Sequence, residues 1–298
     1  MELLTVEIPL NGRNASLNKP VTIIPIGDIQ WNGRPNTVAL DVLKRTIDNG
    51  LKLGAWFIGM GDVIDFASPS NRRKIMAAGL HDTAGDAIGQ KGLDLTHEIY
   101  DLALKPTKGR WLGLLAGHHF TRLEEGDTTD MRLCQMLKAP FLGDSAFVRL
   151  LFTADTSRYP IVIWCHHGHG GGQKTYAPVM KLENAVLPYW EGVDIFLMGH
   201  MSKMATTPIN RMSPRWNPGR SAEPDLMHRK IILVGTGGYS RAYVERVKSG
   251  HVPQGGYAEK QMLGPVVLGS PLIHILPTFK RNPAKNSQIW APQITAEV

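Results

Sequence analysis

Short apolar runs that stop abruptly at a turn residue recur along this chain. Residues 21–26 (VTIIPI) end at Gly27-Asp28, and residues 55–60 (AWFIGM) end at Gly61-Asp62. Residues 111–116 (WLGLLA) end at Gly117-His118-His119, residues 160–165 (PIVIWC) at His166-His167, and residues 194–198 (DIFLM) at Gly199-His200. A run this short and this apolar predicts a strand buried on both faces. Residues 3–9 and 146–152 predict two more strands, and residues 231–243 a strand followed by a Gly-rich turn.

Between the runs the apolar period changes to that of a helix. Residues 37–53 place Val38, Leu40, Val42, Leu43, Ile47 and Leu51 at helical spacing, with Asn49-Gly50 as a candidate end. Residues 71–104, 129–138 and 175–187 also predict helix. Residues 207–224, rich in Pro, Arg and Asn, read as an irregular loop, and the segment from about 283 as a polar surface tail. Alternating strand and helix argues for an α/β fold. The expected organisation is one domain over residues 1–298, with a helical insertion at 66–110.

Composition narrows the class. The apolar fraction of 43% and charged fraction of 20% are those of a globular protein. No apolar run reaches the roughly 18–20 residues that span a bilayer, and the N-terminus lacks the features of a signal peptide. Cys134 and Cys165 lack metal-binding spacing and are expected to be reduced thiols of a cytoplasmic protein. The net charge of +7 favours an anionic partner, although the basic residues are dispersed.

The chemistry concentrates where the strands end. Asp28 and Gln30, Asp62 and Asp65, His118 and His119, His166 and His167, and His200 and Ser202 all follow apolar runs. Ligands in α/β folds gather at the carboxyl ends of strands. Mixed carboxylate and imidazole groups suit zinc, manganese or iron. A glycine before the ligand is expected to supply the sharp turn.

In order, the motifs read GDIQ (27–30), GDVID (61–65), GHHF (117–120), CHHGHGGG (165–172) and GHMS (199–202). This order resembles the calcineurin-like metallophosphoesterase pattern DxH, GDxxD, GNH, H and GHxH over roughly residues 20–240. The glycine cluster and KLENA (181–185) look similar to phosphoesterases carried by bacteriophages. The resemblance implies two β-sheets packed face to face and flanked by helices, with two metals at the sheet edge. It implies Asp62 as the bridging ligand. One metal would take Asp62, His118, His200 and either His166 or His167; the other would take Asp28, Gln30, Asp62 and Ser202. The apolar–x–His pattern prefers His166, and the string HGH prefers His167, with His169 nearby; the first is favoured.

Three positions depart from that pattern. Gln30 replaces a histidine, His118 replaces an asparagine, and Ser202 replaces the second histidine of GHxH. One tight metal and one weak metal are therefore expected, manganese first, with zinc, iron or magnesium as alternatives. The resemblance implies His119 as general acid, with Asp65 fixing its tautomer. Arg72, Arg73 and His169 are candidates for binding the phosphate. The reading that follows is a phosphodiesterase working by metal-activated water, with DNA or RNA among its candidate substrates. A phosphomonoesterase is the alternative, although Phe66 stands where protein phosphatases carry arginine. A non-catalytic binding protein on a degenerate fold is another. A phage-encoded chain would work in the host cytoplasm.

Overall fold

A computed structural model describes residues 1–10, 19–66, 82–123, 126–154, 157–215, 225–244, 248–249, 252–253, 257–260, 262, 264–282 and 287–298. The chain forms two mixed six-stranded sheets. The first runs β1 (Glu2–Pro9), β6 (Ser145–Ala154), β7 (Ser157–His166), β8 (Ile195–Met198), β10 (Asp225–Thr236), β9 (Met204–Arg215). The second runs β16 (Gln293–Glu297), β13 (Leu272–Leu276), β2 (Val21–Ile26), β3 (Trp56–Gly59), β4 (Trp111–Leu115), β5 (Phe141–Gly143). Two further strand pairs, β11 (Lys248–Ser249) with β12 (Val252–Pro253) and β14 (Phe279–Asn282) with β15 (Ser287–Trp290), are not hydrogen-bonded into either sheet.

The layers follow from strand alternation. In β8, Ile195 and Leu197 face the second sheet, while Phe196 and Met198 face outward. In β2, Ile23 faces the first sheet, while Ile24 and Ile26 face outward. Ile58, Leu112, Val148, Ile163 and Val234 complete the core between the sheets. The outer face of the second sheet is covered by α1 (Leu40–Leu53), α2 (Asp82–Ile99) and α3 (Thr129–Leu137) through Leu43, Ile47, Leu95, Leu133 and Leu137. The outer face of the first is covered by α4 (Ala177–Ala185) through Val179 and Leu182. The predicted α/β class, with two packed sheets flanked by helices, is the fold observed.

Several expectations are corrected. Helix α1 does not stop at Asn49-Gly50. It ends at Gly54, whose left-handed conformation (φ 68°) directs its N–H back to the carbonyls of Gly50 and Leu51. Gly50 is needed for close packing instead, because a Cβ there would meet Ile24 Cδ1 at 2.7 Å. Part of the expected loop at 207–224 is strand β9, paired along its length with β10. As an edge strand, β9 tolerates proline and polar residues that a central strand excludes. The expected polar tail contains β16, which pairs with β13 and buries Ile294. Trp290 stacks on Tyr159 with ring centroids 4.8 Å apart. Of the expected insertion at 66–110, residues 82–104 are helical, with residues 67–81 outside the described set. Among the described residues, no helix is long and apolar enough to cross a membrane.

Candidate metal centre

Strands β2, β3 and β4 run parallel in one sheet, as do β7 and β8 in the other. Beyond their carboxyl ends come Asp28, Asp62 and His118 from the second sheet, and His167 and His200 from the first. Two overlapping groups have ligand atoms within 4.8 Å of one another: His118, His167 and His200; and Asp28, Asp62 and His167.

The backbone turns the candidate ligands inward at a cost. Seven non-glycine residues with positive φ are found among the described residues, and five lie here: Asp28, Gln30, Asp62, His200 and Ser202. Such conformations cost of order 1–3 kcal/mol each and collect at functional sites. They are held by a local backbone network. Asp28 N donates to Gly61 O, Gln30 N to Asp62 O, and Tyr239 N to Asp28 O. The expectation that the preceding glycine makes each turn holds at Gly61 (φ 86°) but not at Gly27, where the left-handed residue is Asp28 itself. Gly27 is required for space, because its Cβ would lie 2.6 Å from Met60 Cβ.

The two carboxylates divide their oxygens. Asp62 Oδ1 accepts from the backbone N–H groups of His118 and His119. Asp28 Oδ2 accepts from His200 N at 3.0 Å. This leaves Asp62 Oδ2 and Asp28 Oδ1 buried without hydrogen-bond partners, and His167 Nε2 shares that state. His167 is 2% exposed, and its Nδ1 lies 2.6 Å from the carbonyl oxygen of Met60, to which it donates. That bond leaves Nε2 as the lone-pair atom of the neutral ring, 3.2 Å from Asp62 Oδ2. A proton or a cation would satisfy the same converging lone pairs.

The electrostatics express that unmet demand. Burial pushes the Asp28 carboxyl up. Burial also opposes ionisation of Asp62, but the His167 ring 3.2 Å from its Oδ2, which favours the charged carboxylate, outweighs it and holds Asp62 well below the usual carboxylate range. For His167, burial opposes the charged form, and the flanking Asp62 and Asp28 overcome it and raise its pKa. Burial, then the charge of His167, pushes His200 down to about 4. The Nδ1 atoms of His118 and His200 stand 3.2 Å apart, within reach of one shared ion.

The structure brings His167, and not the preferred His166, into the cluster. The Nδ1 of His166 accepts from Gly168 N at 2.7 Å, and its ring stacks on Trp164, away from the cluster. Strand alternation carries the signal that sequence reasoning passed over. Ile161, Ile163 and Cys165 face between the sheets, so position 167, not 166, continues that face. Gln30 is half-buried beside Asp62, and Ser202 lies against Gly238, whose Cβ would meet Ser202 Oγ at 3.0 Å. His169 stands edge-on to His118 with ring centroids 6.0 Å apart. Arg72 and Arg73 lie outside the described residues.

His119 forms a separate pair at the rim. Its Nδ1 lies 2.8 Å from Asp65 Oδ1, and its Nε2 3.8 Å from Asp62 Oδ2. The Asp65 hydrogen bond raises its pKa above the ordinary histidine value. In comparisons with known proteins, no family model and no curated protein matches this chain.

Asp130 was not foreseen, since a helical pattern gives no sign of a buried acid. From the first turn of α3 its Oδ2 accepts from Gly117 N at 3.0 Å, which fixes the turn before His118. Burial pushes its carboxyl up to about 6. The folded state therefore holds this proton more tightly than the unfolded chain, and stability from this group falls as pH rises from about 4 to 6. Asp130→Asn, which mimics the protonated acid, is expected to stabilise the chelator-treated protein by about 1–3 kcal/mol at pH 8 and hardly at all at pH 4. Urea unfolding at both pH values checks this; an equal effect at the two would refute it.

Proposed function

We propose that this chain is a metal-dependent phosphodiesterase of the calcineurin-like kind, acting on a diester such as those of DNA or RNA. The observation that carries the reading is the convergence of Asp28 Oδ1, Asp62 Oδ2 and His167 Nε2, three buried atoms without partners, beside the His119–Asp65 pair. An oxygen-and-nitrogen donor set with no thiolate fits manganese, and also iron or zinc. Asp62, His118, His167 and His200 would hold the tighter ion. Asp28 with Gln30 and Ser202 would hold a second only weakly, magnesium included. A bound divalent ion supplies Lewis acidity and hydroxide at neutral pH.

The chain's own residues supply orientation and a proton. Met60 fixes the His167 tautomer, and the backbone of His118 and His119 fixes Asp62. Asp65 takes the Nδ1 side of His119, so the other ring nitrogen is free to give a proton to the leaving oxygen. The replacement of a ligand histidine by Ser202 lowers the charge the site can gather. That favours a diester, with one negative charge, over a monoester with two. A non-catalytic role would leave the His119–Asp65 pair without a use. Burial pushes both free thiols, Cys134 and Cys165, up to about 12, which suits an inert reduced state in a cytoplasm.

The test is hydrolysis of bis(p-nitrophenyl) phosphate with manganese by the native chain and by His119→Ala. A fall of about 10²-fold or more is expected. Equal rates would remove His119 from the chemistry. No turnover by the native chain with manganese, zinc, iron or magnesium would reject the phosphodiesterase reading.

A further inference from the structure

A second hollow adjoins the metal side. The first, of about 280 Å³, is lined by Gly117, His118, His167 and their neighbours. The second, of about 310 Å³, lies under the end of α4. Trp164 and Met198 line it from β7 and β8; Val186, Tyr189 and Trp190 line it from the turn after α4; Lys181 lines it from α4. The hollows share His166, Gly168 and His169, so they lie side by side. The volume of the second hollow is at the low end of small-molecule pockets and accommodates one planar group.

The walls are aromatic and held in place. Trp190 is edge-on to Phe147 at 5.2 Å, and its carbonyl accepts from Arg211 Nη1 at 3.0 Å. His166 stacks on Trp164 at the border between the hollows, with ring centroids 5.8 Å apart. Tyr189 is 75% exposed, an unusual state for a large aromatic side chain at the edge of a cleft. Lys181 donates from Nζ to the carbonyl of His169, which puts a cation where the two hollows meet.

We propose that this second hollow seats the nucleobase of the substrate, which makes the substrate a nucleotidyl ester. An occupant must join a flat apolar ring to a phosphate at short range. The aromatic walls provide stacking faces, the lysine complements the anion, and the metal side receives the phosphate. Bases of every type present such a face, so stacking here selects for a base without selecting which one. The placement of the phosphate rests on the phosphodiesterase reading, but the test does not need turnover.

Calorimetric titration of the full chain with manganese would compare AMP, GMP, CMP and UMP with ribose 5-phosphate, which lacks the base. At least one nucleotide is expected to bind about tenfold more tightly than the sugar phosphate, the advantage expected of one stacked base. That advantage is expected to disappear in Tyr189→Ala and in Trp190→Ala. Should Trp190→Ala fail to fold, the exposed Tyr189 still decides. Equal binding of the sugar phosphate and all four nucleotides would overturn the proposal, as would an advantage that survives Tyr189→Ala. Nucleotide binding without hydrolysis of any diester would uphold the base site and reject the phosphodiesterase. Hydrolysis with no preference for a base would do the reverse. Displacement of the bound nucleotide by a single-stranded oligonucleotide would support the base site with a strand end as the source. A lack of displacement, with the nucleotide still bound, would support it with a free nucleotidyl ester.

Discussion

Asp62→Asn is expected to lower manganese-dependent hydrolysis by more than about 10⁴-fold, beyond the loss of a single general acid, while leaving the fold intact. The amide oxygen can take over the role of Oδ1 and accept from the backbone of His118 and His119. The amide nitrogen would then face His167 Nε2, 3.2 Å from where Oδ2 stood. With Nδ1 of His167 donating to Met60, Nε2 accepts the new N–H. The substitution thus satisfies two of the three unpartnered atoms with a neutral hydrogen bond and removes the charge that would hold a cation. Removing even a group behind a ligand costs 10–100-fold in metal affinity, and a ligand shared by both candidate ions should cost more. Metal titration, turnover and thermal unfolding in chelator check the three parts. Turnover within tenfold of the native chain would show that Asp62 is not at the centre of the site.

Gly117→Ala should act on stability instead. A Cβ at this position would lie 2.1 Å from the backbone nitrogen of Asp62 and 2.2 Å from its Oδ1. Neither atom is the end of a flexible side chain that could swing aside. Both belong to a residue already held in a left-handed conformation and fastened by backbone hydrogen bonds. The strands must separate, at an expected cost of about 3 kcal/mol or more. Gly171→Ala is the control, since nothing lies within 4 Å of its Cβ, and its effect should stay within about 0.5 kcal/mol. Similar unfolding midpoints for the two variants would mean that Asp62 yields to the added methyl group and that the close approach does not limit stability.

Much of this site could be read from the chain because its strands are buried on both faces. Such strands are short, nearly all apolar, and end conspicuously at the first charged residue, as at Asp28, Asp62 and His200. What stayed hidden depended on side-chain direction or on distant packing. The choice between His166 and His167 turns on which face of β7 each residue continues, and local motif strings point both ways. Asp130 reaches Gly117 only through the docking of α3, which its own neighbours do not reveal. Strands β9 and β16 were missed because edge strands carry polar residues and proline that mimic loop. The hollow under α4 draws on residues from β7, β8 and the turn after α4, and no single segment announces it.

The candidate ligands come from both sheets, and this governs the order in which the cluster can assemble. Asp28, Asp62 and His118 are fixed once β2, β3 and β4 have paired, whereas His167 and His200 belong to the other sheet. The cluster therefore comes into being only when the two sheets close on the core that contains Ile58, Val148 and Leu197. An ion arriving early would meet only half a coordination shell, so it cannot serve as the nucleus around which the chain folds. Bound at this place, it would act as a latch, retarding the reopening of an interface that hydrophobic burial has already closed.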